Sequence, residues 1–335
     1  MTAMPISTPV LWPIWPPPSA PDGRRKPAWT APLSSNRSPT PSTPRPLRAR
    51  LLQSLHLKPC QLEFIVKYAF MSFSCPDLGL EALLDTAKQY GYNAVEPRSS
   101  ADHKHGVELD TSANKRAQIK AQSQATGIPY CCLATSCRYA DPETVAANIA
   151  ETHQFIDLAA AIGTDRLRVF GGQIGAGLSR EGAIAQVVEA LDQLADHAGE
   201  QDVTLCLETH DDWCDPAHVA AVMGAVDHPH IAVNWDIMHP VRTGLATMEE
   251  AYKTLQPWIK YVHIHDGSDD LGKLEFRPIG EGAIDHKQPL ELLMEDNYEG
   301  HLSGEWICWE AHDIHLPREL AIMKRLEAEI GAAQE

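Results

Sequence analysis

The sequence predicts an α/β fold, a closed (β/α)8 barrel preceded by a proline-rich N-terminal extension. Three observations predict it. Short apolar runs alternate with helical patterns eight times from residue 62 onward, the signature of crossover units on a parallel sheet. Eight such units in about 270 residues match the usual size of a closed barrel. The last four runs each lead into an acid or a histidine, as expected where strand ends converge on one rim.

Residues 1–58 differ from the rest. They hold eight Lys/Arg and one acid, Asp22, which leaves 20 cations against 44 acids beyond them, a net −24 within a whole-chain −17. Thirteen of the 25 prolines fall in the first 46 residues. Proline removes donors and resists helix and sheet, so this extension is predicted to be disordered or polyproline-like. Leu47, Leu51 and Leu55 beside Arg45, Arg48 and Arg50 have the spacing of a basic amphipathic helix. The prolines upstream spoil a transit peptide, and we read the segment as a solvated linker. The domains are then an extension at 1–58 and a barrel at 59–335.

Strands are expected at 64–70, 93–96, 128–134, 167–170, 203–207, 231–235, 261–264 and 302–304. Between them run stripes of three-and-four spacing. They are Leu80, Leu83, Leu84 and Ala87; Val145, Ile149, Thr152 and Ile156; Ile184, Val187, Val188, Leu191 and Leu194; and Leu320, Met323 and Ile330. Gly127, Gly163 and Gly199 follow helical stretches, where a C-cap needs positive φ. Gly171–Gly177 has a glycine pattern like a nucleotide loop, but it follows the fourth strand rather than the first and is read as a flexible barrel loop.

Composition excludes several classes of function. A net charge of −17 opposes polyanion binding, so no nucleic-acid partner is expected. No apolar run approaches the roughly 20 residues of a membrane span. The eight cysteines form no C-x-x-C pair and are read as small buried hydrophobes in a reducing, cytoplasmic setting. A homo-oligomer is left open.

The chemistry gathers at the later strand ends. Strand five leads into Glu208-Thr209-His210-Asp211 and strand six into Asp236-Ile237-Met238-His239. Strand seven carries His263-Ile264-His265-Asp266, and strand eight ends on Glu305. Three carboxylates brought together without a counter-ion would repel and raise one another's pKa. A divalent cation removes that conflict, and three acids with one imidazole favour Mn²⁺ or Mg²⁺, with Co²⁺ or Zn²⁺ as alternatives. His263 and His265 point to the same side of their strand, so spacing leaves both open as the imidazole ligand. Glu96 and Arg98, at the end of strand two, are placed to reach the mouth but read rather as a barrel-closing ion pair; His103 and His105 have the look of a metal pair but read as solvated loop histidines. Trp213, Trp235, Trp306 and Trp309 suit a sugar-stacking wall and core packing equally.

These motifs resemble the sugar phosphate isomerase/epimerase superfamily, the xylose isomerase-like TIM barrels. The resemblance spans about residues 62–330 and rests on the order of Ala94–Arg98, Leu207–His210, Trp235–Pro240, His263–Asp266, Pro278–Asp285 and Ser303–Glu305. It implies metal ligands at Glu208, Asp236, His263 and Glu305, with His265 where relatives usually keep Lys or Asn. It also implies Glu208 and Glu305 as acid/base groups on opposite faces of the substrate, and His239 and Arg277 as substrate contacts. His210 and His265 join these as weaker substrate-binding candidates. The expected activity is a metal-dependent isomerase or epimerase of a small keto sugar or sugar-like polyol, working through an enediolate. The alternative is a dehydratase of inosose or dehydroshikimate type. An endonuclease IV-like nuclease is disfavoured by the acidic barrel, and a non-catalytic carbohydrate-binding barrel has no need of three clustered acids.

Overall fold

The computed structural model describes residues 66–270 and 273–333. The extension at 1–58, its leucine-spaced segment and the start of the first expected strand lie outside the described residues. Eight strands form one parallel sheet: β1 (Lys67–Met71), β2 (Ala94–Glu96), β3 (Leu133–Arg138), β4 (Arg166–Phe170), β5 (Thr204–Glu208), β6 (Ile231–Asp236), β7 (Ile259–Ile264) and β10 (His301–Gly304). Their order is β2-β1-β10-β7-β6-β5-β4-β3. Parallel bridges Val95–Tyr130 and Arg98–Ala134 join β2 to the β3 side and close the barrel. A short antiparallel hairpin, β8 (Asp266–Gly267) with β9 (Phe276–Arg277), stands apart from it.

The third strand begins later than expected. Pro129 has no N–H to give to a ladder, and around it only Tyr130 bridges to β2, while pairing with β4 starts at Leu133. The Arg98 side chain reaches the carbonyls of Ser99 and Ala134 and the Ser136 hydroxyl. It therefore ties β2 to β3 by hydrogen bonds, and the expected ion pair with Glu96 does not form.

Helices cover the outside of the barrel. The stripe of α1 (Leu80–Tyr90) buries Leu80, Leu83, Leu84 and Ala87. Val187, Leu191 and Leu194 are buried on α4 (Arg180–Glu200). Gly127 and Gly163 cap their helices at φ 74° and 87°. Gly199 lies inside α4, whose cap is Gln201. The Gly171–Gly177 loop is anchored rather than free: Trp213 Nε1 donates to the Gly172 carbonyl at 2.9 Å. A Cβ on Gly171 would meet that indole at 2.2 Å, so glycine is what lets the ring pack on the backbone. No helix among the described residues is long and apolar enough to cross a membrane.

Strand alternation builds the interior in layers. Ala69, Ala94, Cys131, Cys132, Cys206, Ala232 and Tyr261 form a buried floor. Two residues further along four strands stand Glu96, Glu208, Asn234 and His263, all fully buried. Residues two apart share a face of a strand, so polar groups stack directly on this floor. Six of the described cysteines are buried, none is in a disulfide, and Cys308 alone among them is exposed, contrary to expectation. Trp213, Trp235 and Trp306 are buried in the core, leaving Trp309 half-buried.

One carboxylate organises the loop after β9. Asp266 accepts from the amides of Gly267 and Ile284 on Oδ1, at 2.8 and 3.1 Å, and from Gly280 and Gly282 on Oδ2, at 2.9 and 3.1 Å. A Cβ on Gly282 would lie 2.1 Å from Asp266 Oδ1 and 2.6 Å from the Gly267 carbonyl. Gly282→Ala is therefore expected to cost about 1–3 kcal/mol through forced displacement. Thermal unfolding measures it, and an unchanged melting temperature would refute the crowding.

Candidate metal centre

Four side chains from four strand ends meet at the mouth. Glu208 closes β5, Asp236 closes β6, His263 lies on β7 and Glu305 follows β10. One ligand-capable atom from each lies within 4.8 Å of the others, and all four residues are buried. His263 Nδ1 is 3.2 Å from Glu208 Oε1 and 3.2 Å from Glu305 Oε2. Three carboxylates and an imidazole nitrogen converging in this way form a donor set suited to a divalent cation.

The surroundings hold these groups in place. Glu96 meets His263 Nε2 at 3.1 Å and accepts from Tyr261 Oη at 2.8 Å and Ser303 Oγ at 2.7 Å. It thereby orients the imidazole from behind, as carboxylates behind metal-binding histidines do. Asp236 is fixed through its backbone by Thr209, whose hydroxyl accepts from the Asp236 amide at 2.9 Å. Its Oδ1 accepts from the amides of Met238 and His239 on α6 (Met238–Arg242).

Arg168 is the residue that the sequence reading missed. Fully buried on β4, it places Nε 3.1 Å from Glu208 Oε2 and Nη2 3.5 Å from Glu305 Oε1, while Nη1 donates to the Thr135 carbonyl at 2.8 Å. The protein thus carries its own cation between two of the clustered acids. Burial works against a proton on His263, but Glu96, Glu208 and Glu305 outweigh it and hold its pKa well above the ordinary range. For Glu305, burial opposes the charge, yet His263 and Arg168 keep its carboxyl well below the usual range.

The other candidates divide into two groups. His265 Nε2 lies 2.7 Å from Asp236 Oδ2, and His239 Nε2 lies 3.8 Å from the same oxygen. The His210 ring stands 4.5 Å from that of His239, and its Nδ1 is 3.1 Å from Asp211 Oδ1. These three histidines adjoin the centre. Arg277 does not: its guanidinium pairs with Glu275 at 3.0 Å and is half exposed. Its strand neighbour Phe276 stands over His265 instead, with ring centroids 5.6 Å apart.

His103 and His105 are buried, not solvated. The Val107 amide donates to His105 Nδ1, so His105 Nε2 carries the hydrogen and donates to Ser72 Oγ at 3.2 Å. Ser72 also accepts from the Arg98 amide and donates to His103 Nδ1 at 2.9 Å. This staple serves the fold. Burial pushes His103 down to about 4 and His105 to about 3, so both stay neutral while the unfolded chain takes up protons near pH 6.5. Stability should therefore fall as pH drops from about 6.5 to about 4. Melting temperature against pH should decline less steeply in His105→Gln than in the parent chain; parallel curves would contradict this.

The fold and the site together define a closed parallel barrel with a buried acid–imidazole cluster, able to hold a metal ion, at the carboxyl ends of its strands. The chain belongs to the xylose isomerase-like TIM barrel family, whose model matches residues 84–327. It is similar to a 3-dehydroshikimate dehydratase of Bacillus anthracis, 23% identical over 199 residues, covering 54% of this chain and 70% of that protein. Among solved structures it is similar to an L-ribulose 3-epimerase with a TM-score of 0.66, 17% identity, and coverage of 81% of this chain and 97% of that one. A xylose isomerase-like TIM barrel protein from Mycobacterium smegmatis in complex with magnesium matches with a TM-score of 0.61 and 17% identity, covering 79% and 98% of the two chains.

Proposed function

We propose that the protein is a divalent-cation-dependent isomerase or epimerase of a small keto sugar or related polyol. The observation that carries this reading is the meeting of Glu208, Asp236, His263 and Glu305 within 4.8 Å, buried at the barrel mouth. A cation held there would polarise a substrate carbonyl and its neighbouring hydroxyl, which acidifies the adjoining C–H. Glu208 and Glu305 come from different strands, so one can take the proton and the other return it on the opposite face. Return to the same carbon epimerises; transfer to its neighbour isomerises. Arg168 holds both carboxylates, and Glu96 keeps His263 turned toward them. His210, His239 and His265 would line the approach to hydroxyl groups.

A dehydratase is the second reading, favoured by the sequence match to a 3-dehydroshikimate dehydratase. It uses the same first proton abstraction, followed by loss of a β-hydroxyl. The test is solvent-deuterium incorporation into a panel of ketoses with added Mn²⁺. Exchange at the carbon next to the carbonyl is expected. No exchange with any ketose, together with water loss from dehydroshikimate or a keto-inositol, would replace the first reading with the second.

A further inference from the structure

We infer that Asp236, His239 and His265 form a second divalent-cation site that shares Asp236 with the first. This rests on the reading of the four-residue centre as a cation site. Ligand-capable atoms of the three residues lie within 4.8 Å of one another, and all three are buried. Asp236 Oδ1 is occupied by the Met238 and His239 amides, at 2.9 and 3.2 Å, so Oδ2 is the oxygen that would coordinate, a cation there replacing its hydrogen bond with His265 Nε2. His265 Nε2 and His239 Nε2 both face that oxygen, at 2.7 and 3.8 Å, from the end of β7 and from α6. The longer of these separations is no hydrogen bond.

The two donor sets differ in chemistry. Three carboxylates and one imidazole suit hard ions such as Mn²⁺ and Mg²⁺, whereas two imidazoles and one shared carboxylate suit Zn²⁺ or Co²⁺. The two positions should therefore sort ions by hardness. Asp236 would bridge them, so paramagnetic ions in both would be magnetically coupled through a carboxylate.

The experiment is calorimetric titration of the full chain, stripped of metal, with Zn²⁺ and separately with Mn²⁺, checked by elemental analysis after gel filtration. Two Zn²⁺ but one Mn²⁺ per chain are expected. His265→Gln and His239→Gln should each reduce Zn²⁺ to one and leave Mn²⁺ unchanged, with folding verified by circular dichroism. Using both variants guards against one failing to fold. A chain loaded with two Co²⁺ should show an electron-resonance signal below the sum of two isolated ions, restored toward a single uncoupled ion in His265→Gln. One Zn²⁺ in the parent chain, or two that survive both substitutions, overturns the second site and leaves the first intact. Loss of a Zn²⁺ in His197→Gln instead would assign it to the outer pair His153–His197, whose Nδ1 atoms are 2.7 Å apart, and equally overturns the inference. Failure to bind any ion overturns the four-residue centre itself.

Discussion

Glu208→Gln and Glu305→Gln are each expected to lower turnover by about 10²–10⁴-fold, the range that a positioned acid or base contributes. Glutamine keeps the volume and the hydrogen-bonding reach of glutamate but removes the charge and the proton-accepting oxygen. Each variant also leaves Arg168 with one carboxylate in place of two, since the parent pairs it with both at 3.1 and 3.5 Å. Two measurements separate the roles. Solvent-deuterium exchange reports proton transfer, and Mn²⁺ calorimetry reports ligation. Full exchange activity in either variant, with circular dichroism unchanged, would remove that residue from the acid/base pair.

Arg168→Met should be the most destabilising single change at the mouth. Breaking a buried ion pair by removing one partner costs about 3–5 kcal/mol, because the remaining charge is left uncompensated. Here the loss exposes Glu208 and Glu305 to each other, with Glu96 nearby through His263. A cation binding those carboxylates would offset much of that loss. The rise in melting temperature on adding Mn²⁺ should therefore be larger in Arg168→Met than in the parent chain, read by thermal unfolding with and without chelator. At about 100-fold excess over its dissociation constant a ligand contributes about 2.7 kcal/mol to the native state. An equal Mn²⁺ response in both chains would mean that Arg168 does not act as the internal counter-ion.

The barrel was legible because its strands and helices keep different periods and because acids recur at the same place after successive strands. Glu208, Asp236, His263 and Glu305 stand out in the sequence for that reason. Arg168 does not. In Arg166-Leu167-Arg168-Val169-Phe170 polar and apolar residues alternate, which in a half-exposed strand would turn the arginines to water. A parallel barrel covers both faces of its strands, so here the polar phase points inward. Glu96 was obscured in the same way: two residues from Arg98, it looked like half of a local pair, whereas its partners come from β7 and β10. Between His263 and His265 the sequence could not choose, since both share a face; one meets Glu208 and Glu305, the other Asp236. For Arg277, a two-residue strand decides the matter by parity, giving Phe276 to the histidine side and Arg277 to Glu275.

The layer of small side chains and thiols beneath the charged groups has a consequence for the charges themselves. Ala69, Ala94, Cys131, Cys132, Cys206, Ala232 and Tyr261 form one buried cluster without an ionised side chain, so Glu96, Glu208 and His263 rest on a base of low local dielectric. Attraction and repulsion between ions are stronger in such surroundings than in water, so one uncompensated charge there would unsettle all of its neighbours.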